Sequence, residues 1–212
     1  MAKDYFEVMD EIEITLDTDV VTDESIVLQV YGFNHFRKEN GEEFAHVVFG
    51  MKGTLTQGRR MNATNINTGG WEASEMRTWL NESMYEALPT IWKSMIESVQ
   101  VMASIGGQSA TIATTIDKLF LFSASEVGFD KTAVPYKNEV DAEAEAMQFT
   151  LFTDNNSRIK KTFNGEGSAV YWWLRSADAS SSTHFRKVIN IGSAGSNYAT
   201  ATYSVCFGFC VG

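Results

Sequence analysis

Val170-Tyr-Trp-Trp-Leu-Arg-Ser176 and, further along, Val205-Cys-Phe-Gly-Phe-Cys-Val211 are the stretches that decide the fold class. Both are short apolar runs rich in aromatic and β-branched residues, and small polar residues separate them. From Asn164 to Gly212 there are 8 Ser, 3 Thr and 6 Gly, so turn formers recur between the apolar pieces, as expected of strands joined by short loops. The chain's two cysteines, Cys206 and Cys210, both fall in the second run. Four residues of extended strand span roughly 13 Å, whereas disulfide-bonded Cα atoms lie within about 7 Å of each other. A bond inside that strand is excluded, and with no other soft ligand nearby a zinc site is not expected. The reading is two buried thiols packing as small hydrophobes.

Upstream of these runs the pattern mixes periods. Glu11-Ile-Glu-Ile-Thr-Leu-Asp17 alternates with strand period, and Ile26-Val-Leu-Gln-Val-Tyr31 and His46-Val-Val-Phe49 flank the turn-like Lys38-Glu-Asn-Gly-Glu-Glu43, which predicts a hairpin. His35 and His46 would approach each other across it, but no acidic or thiol partner stands at metal-ligand spacing. After the loop Asn67-Thr-Gly-Gly70, Met76, Trp79 and Leu80 predict a helix over 73–81. Pro89 suits a first helical turn, and Ile91, Trp92, Met95, Ile96 and Val99 predict a second helix. Lys118-Leu-Phe-Leu-Phe-Ser123 reads as a buried strand, and the Glu/Ala run Glu139 to Ala146 as a short exposed helix or a loose insertion. Two helices among antiparallel strands make an α+β domain. Only Pro89 and Pro135 occur, so no proline-rich linker divides it. The expected organisation is an acidic N-terminal arm or edge strand over 1–25, then one domain over 26–212.

Composition narrows the functional classes. The 212 residues are 44% hydrophobic and 21% charged, with a net charge of −10. That content buries a core, and the acidic balance argues against an electrostatic grip on nucleic acid or anionic lipid. Residues 1–24 hold nine acidic side chains against Lys3, the signature of a solvated lead-in. Apolar runs such as Leu119 to Phe122 are far too short to span a bilayer, so no membrane insertion is expected. Met1 to Asp10 has no basic region followed by an apolar stretch. No Sec signal is therefore read, and a phage particle, the bacterial cytoplasm, or a surface reached by a non-Sec route all remain open.

Chemistry-bearing motifs are few. No Gly-x-Ser-x-Gly elbow, His-Glu-x-x-His helix or Gly-x-x-x-x-Gly-Lys loop occurs. Ile105-Gly-Gly-Gln-Ser109 is glycine-rich but lacks a following lysine. His184 stands beside Ser180, Ser181 and Ser182, with Asp178 as the sole orienting carboxylate in sight, a weak basis for hydrolysis. No catalytic residue, metal or cofactor is expected. From Leu174 to Gly212 there is no Glu, Gln, Met or Trp, although residues 1–173 contain 17 Glu, 5 Gln, 9 Met and 5 Trp. Serine, glycine, asparagine and tyrosine replace them, the residue types of adaptable binding loops.

In chain order, Met61-Asn-Ala-Thr-Asn65, Gly69-Gly-Trp-Glu-Ala-Ser-Glu-Met-Arg-Thr-Trp-Leu-Asn81, Asp117-Lys-Leu-Phe-Leu-Phe-Ser-Ala-Ser-Glu-Val127, Trp172-Trp-Leu-Arg-Ser176 and Phe207-Gly-Phe-Cys-Val211 resemble the DUF6273 group of bacterial and phage proteins. The resemblance covers roughly residues 26–212. That group is similar to the C-type-lectin-like fold shared by formylglycine-generating-enzyme relatives and by the variable proteins of diversity-generating retroelements. In the latter, adenines near the 3′ end of the gene are rewritten, and Asn-type codons so treated cannot become Glu, Gln, Met, Trp or Lys. Residues 174–212 match that rule with Lys187 as the exception.

The resemblance implies a rigid scaffold, made of the Trp-Trp-Leu-Arg-Ser and Cys-Phe-Gly-Phe-Cys strands, that supports a variable-type region over 174–212. Its ligand face would draw on Asp178, Ser180, Ser182, His184, Arg186, Ile189, Ile191, Ser193, Asn197, Tyr198 and Tyr203, with Tyr198, Tyr203 and Arg186 as anchors. The implied function is non-enzymatic binding of a protein or glycan surface; a homo-oligomer is left open. A structural domain of a phage or bacterial surface assembly is the alternative. The Glu-Pro-Asn and Trp-Asn-Asp motifs of calcium-dependent lectins are absent, so calcium-mediated sugar binding does not carry over. No cysteine pair matches the catalytic thiols of formylglycine-generating enzymes, which disfavours an oxidase.

Overall fold

The computed structural model describes residues 5–17, 19–22, 25–129 and 148–212. The Glu139–Ala146 run lies outside the described residues. In chain order the elements begin with β1 (Glu11–Thr15), β2 (Ser25–Phe33), β3 (Val47–Met51), α1 (Glu75–Trp79), a π-helical turn (Leu80–Met84), α2 (Tyr85–Ala87) and α3 (Thr90–Lys93). There follow β4 (Ile96–Glu97), β5 (Val99–Ser104), β6 (Ile112–Asp117), β7 (Phe120–Leu121), α4 (Asn155–Arg158), β8 (Lys160–Lys161) and a 3-10 turn (Phe163–Gly165). The last strands are β9 (Ala169–Val170), β10 (Trp172–Ala177), β11 (His184–Val188), β12 (Ala194–Tyr198) and β13 (Phe207–Val211). Antiparallel strands with a few short helices make this an α+β protein.

The largest sheet is six-stranded in the order β1-β2-β3-β13-β4, with β7 also on β13. The predicted hairpin is β2 and β3, paired from Leu28↔Met51 to Phe33↔Val47. β13 is central, with β3 along one side and β4 and β7 along the other. Its Phe207, Phe209 and Cys210 are consequently buried, which explains a continuous apolar run in place of alternation. A Cβ on Gly208 would lie 2.4 Å from Phe122 and 2.8 Å from the Phe49 carbonyl oxygen, so only glycine fits there. Both cysteines are free and buried.

The first predicted helix is present and runs past its expected end. Ser74 caps it by accepting from the Arg77 amide, and Met76, Leu80 and Met84 bury its inner face. The second predicted helix is corrected: one turn, α3, is helical, and Ile96 and Val99 belong to β4 and β5. Val99, Val101 and Ala103 are buried while Gln100 and Met102 are not fully covered, a strand period that pairing with β6 enforces. Ile91, placed on the inner stripe by helical spacing, is 64% exposed. Of the predicted strand 118–123, Phe120 and Leu121 pair, and Leu119 to Ser123 are buried throughout.

Three tryptophans anchor the interior, and each indole has a partner. Trp71 donates to Asp117 at 2.8 Å, Trp172 to the Arg158 carbonyl at 3.1 Å and Trp173 to the Arg59 carbonyl at 2.9 Å. Buried indole N–H groups need such acceptors, and these bonds tie the Gly-Gly-Trp and Trp-Trp-Leu-Arg-Ser segments to distant parts of the chain.

Candidate functional site

The C-terminal segment is built on the three-stranded sheet β10-β11-β12. All six residues of β10 are buried. On β11, Phe185 and Lys187 share one face with Asn197 and Gly195 across the ladder, while His184, Arg186 and Val188 share the other with Tyr198, Ser196 and Ala194.

Every formal charge between Leu174 and Gly212 lies inside. Arg175, Asp178, Arg186 and Lys187 are 1%, 4%, 2% and 6% exposed. Arg175 grips Glu126 with two nitrogens at 2.6 and 2.7 Å and donates further to the Leu121 and Met102 carbonyls, each at 2.9 Å. Glu126 also accepts from the Ser123 amide and lies 3.6 Å from His35 Nε2. Burial by itself would raise the Glu126 carboxyl, but the Arg175 charge together with the hydrogen bonds from His35 and Arg175 brings it down to about 2. Arg186 Nη2 donates to Asp178 Oδ1 at 3.1 Å, and the same oxygen accepts from the Ser180 amide and hydroxyl. Lys187 Nζ lies 4.0 Å over the Tyr203 ring and 4.7 Å over the Tyr171 ring, and donates to the Tyr203 hydroxyl at 2.8 Å.

This arrangement divides the eleven sequence-predicted ligand residues. Asp178 and Arg186 are corrected from ligand contacts to a buried ion pair, because each neutralises the other beneath the surface. Ser180, Ser182, His184 and Tyr198 gather at one end of the β11–β12 hairpin, where Ser180 and Ser182 are exposed and the His184 and Tyr198 rings stack at 4.5 Å. Ile189, Ile191 and Ser193 lie at the other end, with Ile191 61% exposed and Ser193 accepting from Asn155 at 3.0 Å. The length of β11, roughly 13 Å, keeps those two ends apart. Asn197 and Tyr203 are half-buried between them and joined by a hydrogen bond from the Asn197 amide to the Tyr203 phenol.

Two other candidate pairs behave differently. Ser181, among the three adjacent serines, reaches His184 Nδ1 at 2.7 Å, but Asp178 is occupied by Arg186 and Ser180, so no carboxylate orients the imidazole from that side. His35 and His46 do not converge as metal ligands, because His46 Nε2 accepts the backbone amides of His35 and Phe36, both at 3.1 Å. Burial lowers the His46 pKa. Among the described residues no group of three or more His, Cys, Asp or Glu is placed to hold a metal.

Two hollows open on the surface of the described residues. A cavity of about 640 Å³ is lined by His35, Phe36, Phe44, Gln100 and Met102, with Glu126 and Arg175 at its floor. Its floor charges are committed to each other. An open groove of about 410 Å³ is lined by Gly58, Ala169, Val170, Tyr171, Asn190, Thr202, Tyr203 and Ser204. Sequence reasoning passed over Tyr171, Asn190 and Thr202, all exposed. Tyr171 reads in sequence as part of the apolar strand Val170–Leu174, and only its position between β9 and β10 turns it outward. The 38% exposure of its large ring is the structural sign of the groove.

The segment 174–212 of this α+β protein thus keeps its four charged side chains inside and turns uncharged residues outward. The chain belongs to the DUF6273 family, a domain of unknown function whose model matches residues 37–211. No curated protein and no solved structure matches the chain.

Proposed function

We propose that this protein is a non-enzymatic binding protein with a C-type-lectin-like fold, and that its C-terminal segment is a diversifiable ligand face like that of retroelement variable proteins. The observation that carries this reading is the sorting of residues 174–212 into a charged, internally paired interior and an uncharged exterior of Ser180, Ser182, Asn190, Ile191, Tyr198 and Thr202. Side chains on such an exterior can change without disturbing the core beneath. Lys187 adds support. It is the one residue of the segment that adenine rewriting of Asn-type codons would not produce, and it is interior, hydrogen-bonded and covered by two tyrosine rings. An unvaried scaffold position there is what the reading requires.

The test is to sequence the 3′ end of the gene from many cells of one population, with the few kilobases downstream. Substitutions are expected at adenine-derived positions in the codons of the exposed residues, sparing those of Asp178, Arg186 and Lys187, beside a near-identical template repeat and a reverse transcriptase. An invariant region with no template nearby would reduce the protein to a fixed module, such as a structural domain of a phage or bacterial surface assembly.

A further inference from the structure

We propose that the groove beside Tyr171 is a carbohydrate subsite that takes a neutral sugar. The inference rests on the binding reading above but not on diversification. Three observations lead to it.

The groove is uncharged: among the described residues none of its lining side chains carries a formal charge, and Lys187 beneath it is already enclosed by Tyr171 and Tyr203. Nothing there would repay the desolvation of a phosphate, sulfate or carboxylate. It also offers an aromatic platform, since the Tyr171 and Tyr203 rings lie 5.5 Å apart and inclined at 57°. A pyranose ring has a C–H face that gains by leaving water for an aromatic surface. Finally, the rim is polar and neutral. Asn190 and Thr202 are exposed, and the Tyr203 oxygen accepts from Lys187 and Asn197, which leaves its own proton to donate. Amide and hydroxyl groups of this kind exchange water for sugar hydroxyls at little net cost.

Glycine at position 58 keeps the hollow open, because a Cβ there would come within 3.0 Å of the Thr202 methyl and the Tyr203 carbonyl oxygen. A peptide side chain as occupant would call for a deep apolar pocket to bury an anchor. This groove is open, and Gly58, Ala169 and Ser204 in its lining are small.

The experiment uses the full chain on an array of neutral oligosaccharides built from glucose, galactose, mannose and N-acetylglucosamine, printed beside sialylated and sulfated glycans and neutral peptides. Binding to at least one neutral oligosaccharide is expected, changing less than about twofold between 0.05 and 0.5 M NaCl because no ion pair is made. Tyr171→Ala and Asn190→Ala should each weaken it about tenfold or more, roughly the loss of one good contact, while Ile91→Ala, at an exposed position of α3, leaves it unchanged. Thr202→Trp, which fills the groove from an exposed position, should abolish it and covers the case in which Tyr171→Ala fails to fold.

Preference for anionic glycans overturns the proposal. So does neutral-sugar binding that survives Thr202→Trp. Binding to peptides alone, or binding lost with Tyr198→Ala and kept with Thr202→Trp, overturns the sugar subsite while the binding reading stands. No binding to any printed ligand also overturns the subsite; the population sequencing then decides the wider reading independently.

Discussion

In the six-stranded sheet the charges face water: Glu11 and Glu13 project from β1, Lys52 reaches Glu11 at 2.9 Å, and Ile14 turns inward to the core. In the three-stranded sheet the same kinds of side chain are turned inward, where Arg175 meets Glu126, Arg186 meets Asp178, and Lys187 lies against tyrosine rings. Water already solvates the charges of the first sheet, so their pairings contribute at most about 1 kcal/mol each. Those of the second have lost that solvation and depend on their partners, so removing one partner costs about 3–5 kcal/mol. The lesson is that the C-terminal segment holds its shape from within, so that changes at exposed positions such as Ser182 and Ile191 leave the core intact.

The harshest way to break this contrast is to hollow the interior of the second sheet. Trp172→Ala and Trp173→Ala should each lose about 3–5 kcal/mol in urea denaturation, since both indoles are fully buried and hydrogen-bonded. A loss below about 1 kcal/mol, the size of a surface change, would make that residue a ligand contact instead.

Glu126→Gln comes next, expected to cost about 3 kcal/mol by leaving the Arg175 charge uncompensated. Its counterpart in the first sheet, Lys52→Ala, should cost less than about 1 kcal/mol. Equal losses in the two variants would erase the distinction between the sheets.

Acid sharpens it further. The Glu126 carboxyl is held at about 2 against an ordinary 4.5, so the folded protein takes up this proton at lower pH than the unfolded chain does. The stability this group supplies is full above pH 4.5 and is lost as pH falls from there towards 2. Melting temperature should drop across that window, and the drop should be smaller in Glu126→Gln.

The smallest effect is predicted for the outer surface: Ser182→Asn, Ile191→Ser and Tyr198→Ser together should shift stability by no more than about 0.5 kcal/mol per site. A larger fall in melting temperature would show that these loops support the core.

Much of the architecture was legible from local pattern. The alternation at Glu11–Asp17 and the apolar runs at 26–31, 46–49 and 205–211 all fall on observed strands. The failure at 91–99 has a definite cause. Ile91, Trp92, Met95, Ile96 and Val99 fit helical spacing, but pairing of β4 with β13 and of β5 with β6 overrides it. The candidate surface was legible in kind, as small polar and aromatic residues, but not in membership. Asp178 and Arg186 look like ligand contacts until the fold brings them to 3.1 Å from each other. Tyr171, Asn190 and Thr202 share no spacing, and only the tertiary structure lines one groove with them.

The sequence by itself determined the α+β class, the buried thiols and the membership of the DUF6273 family, because hydrophobic period, strand reach and motif order are properties of neighbouring residues. The tertiary structure alone decided which charges are interior, which helix gives way to strands and where the outer groove opens. Those outcomes depend on contacts between residues far apart in the chain, such as Glu126 with Arg175, whose pairing no local pattern encodes.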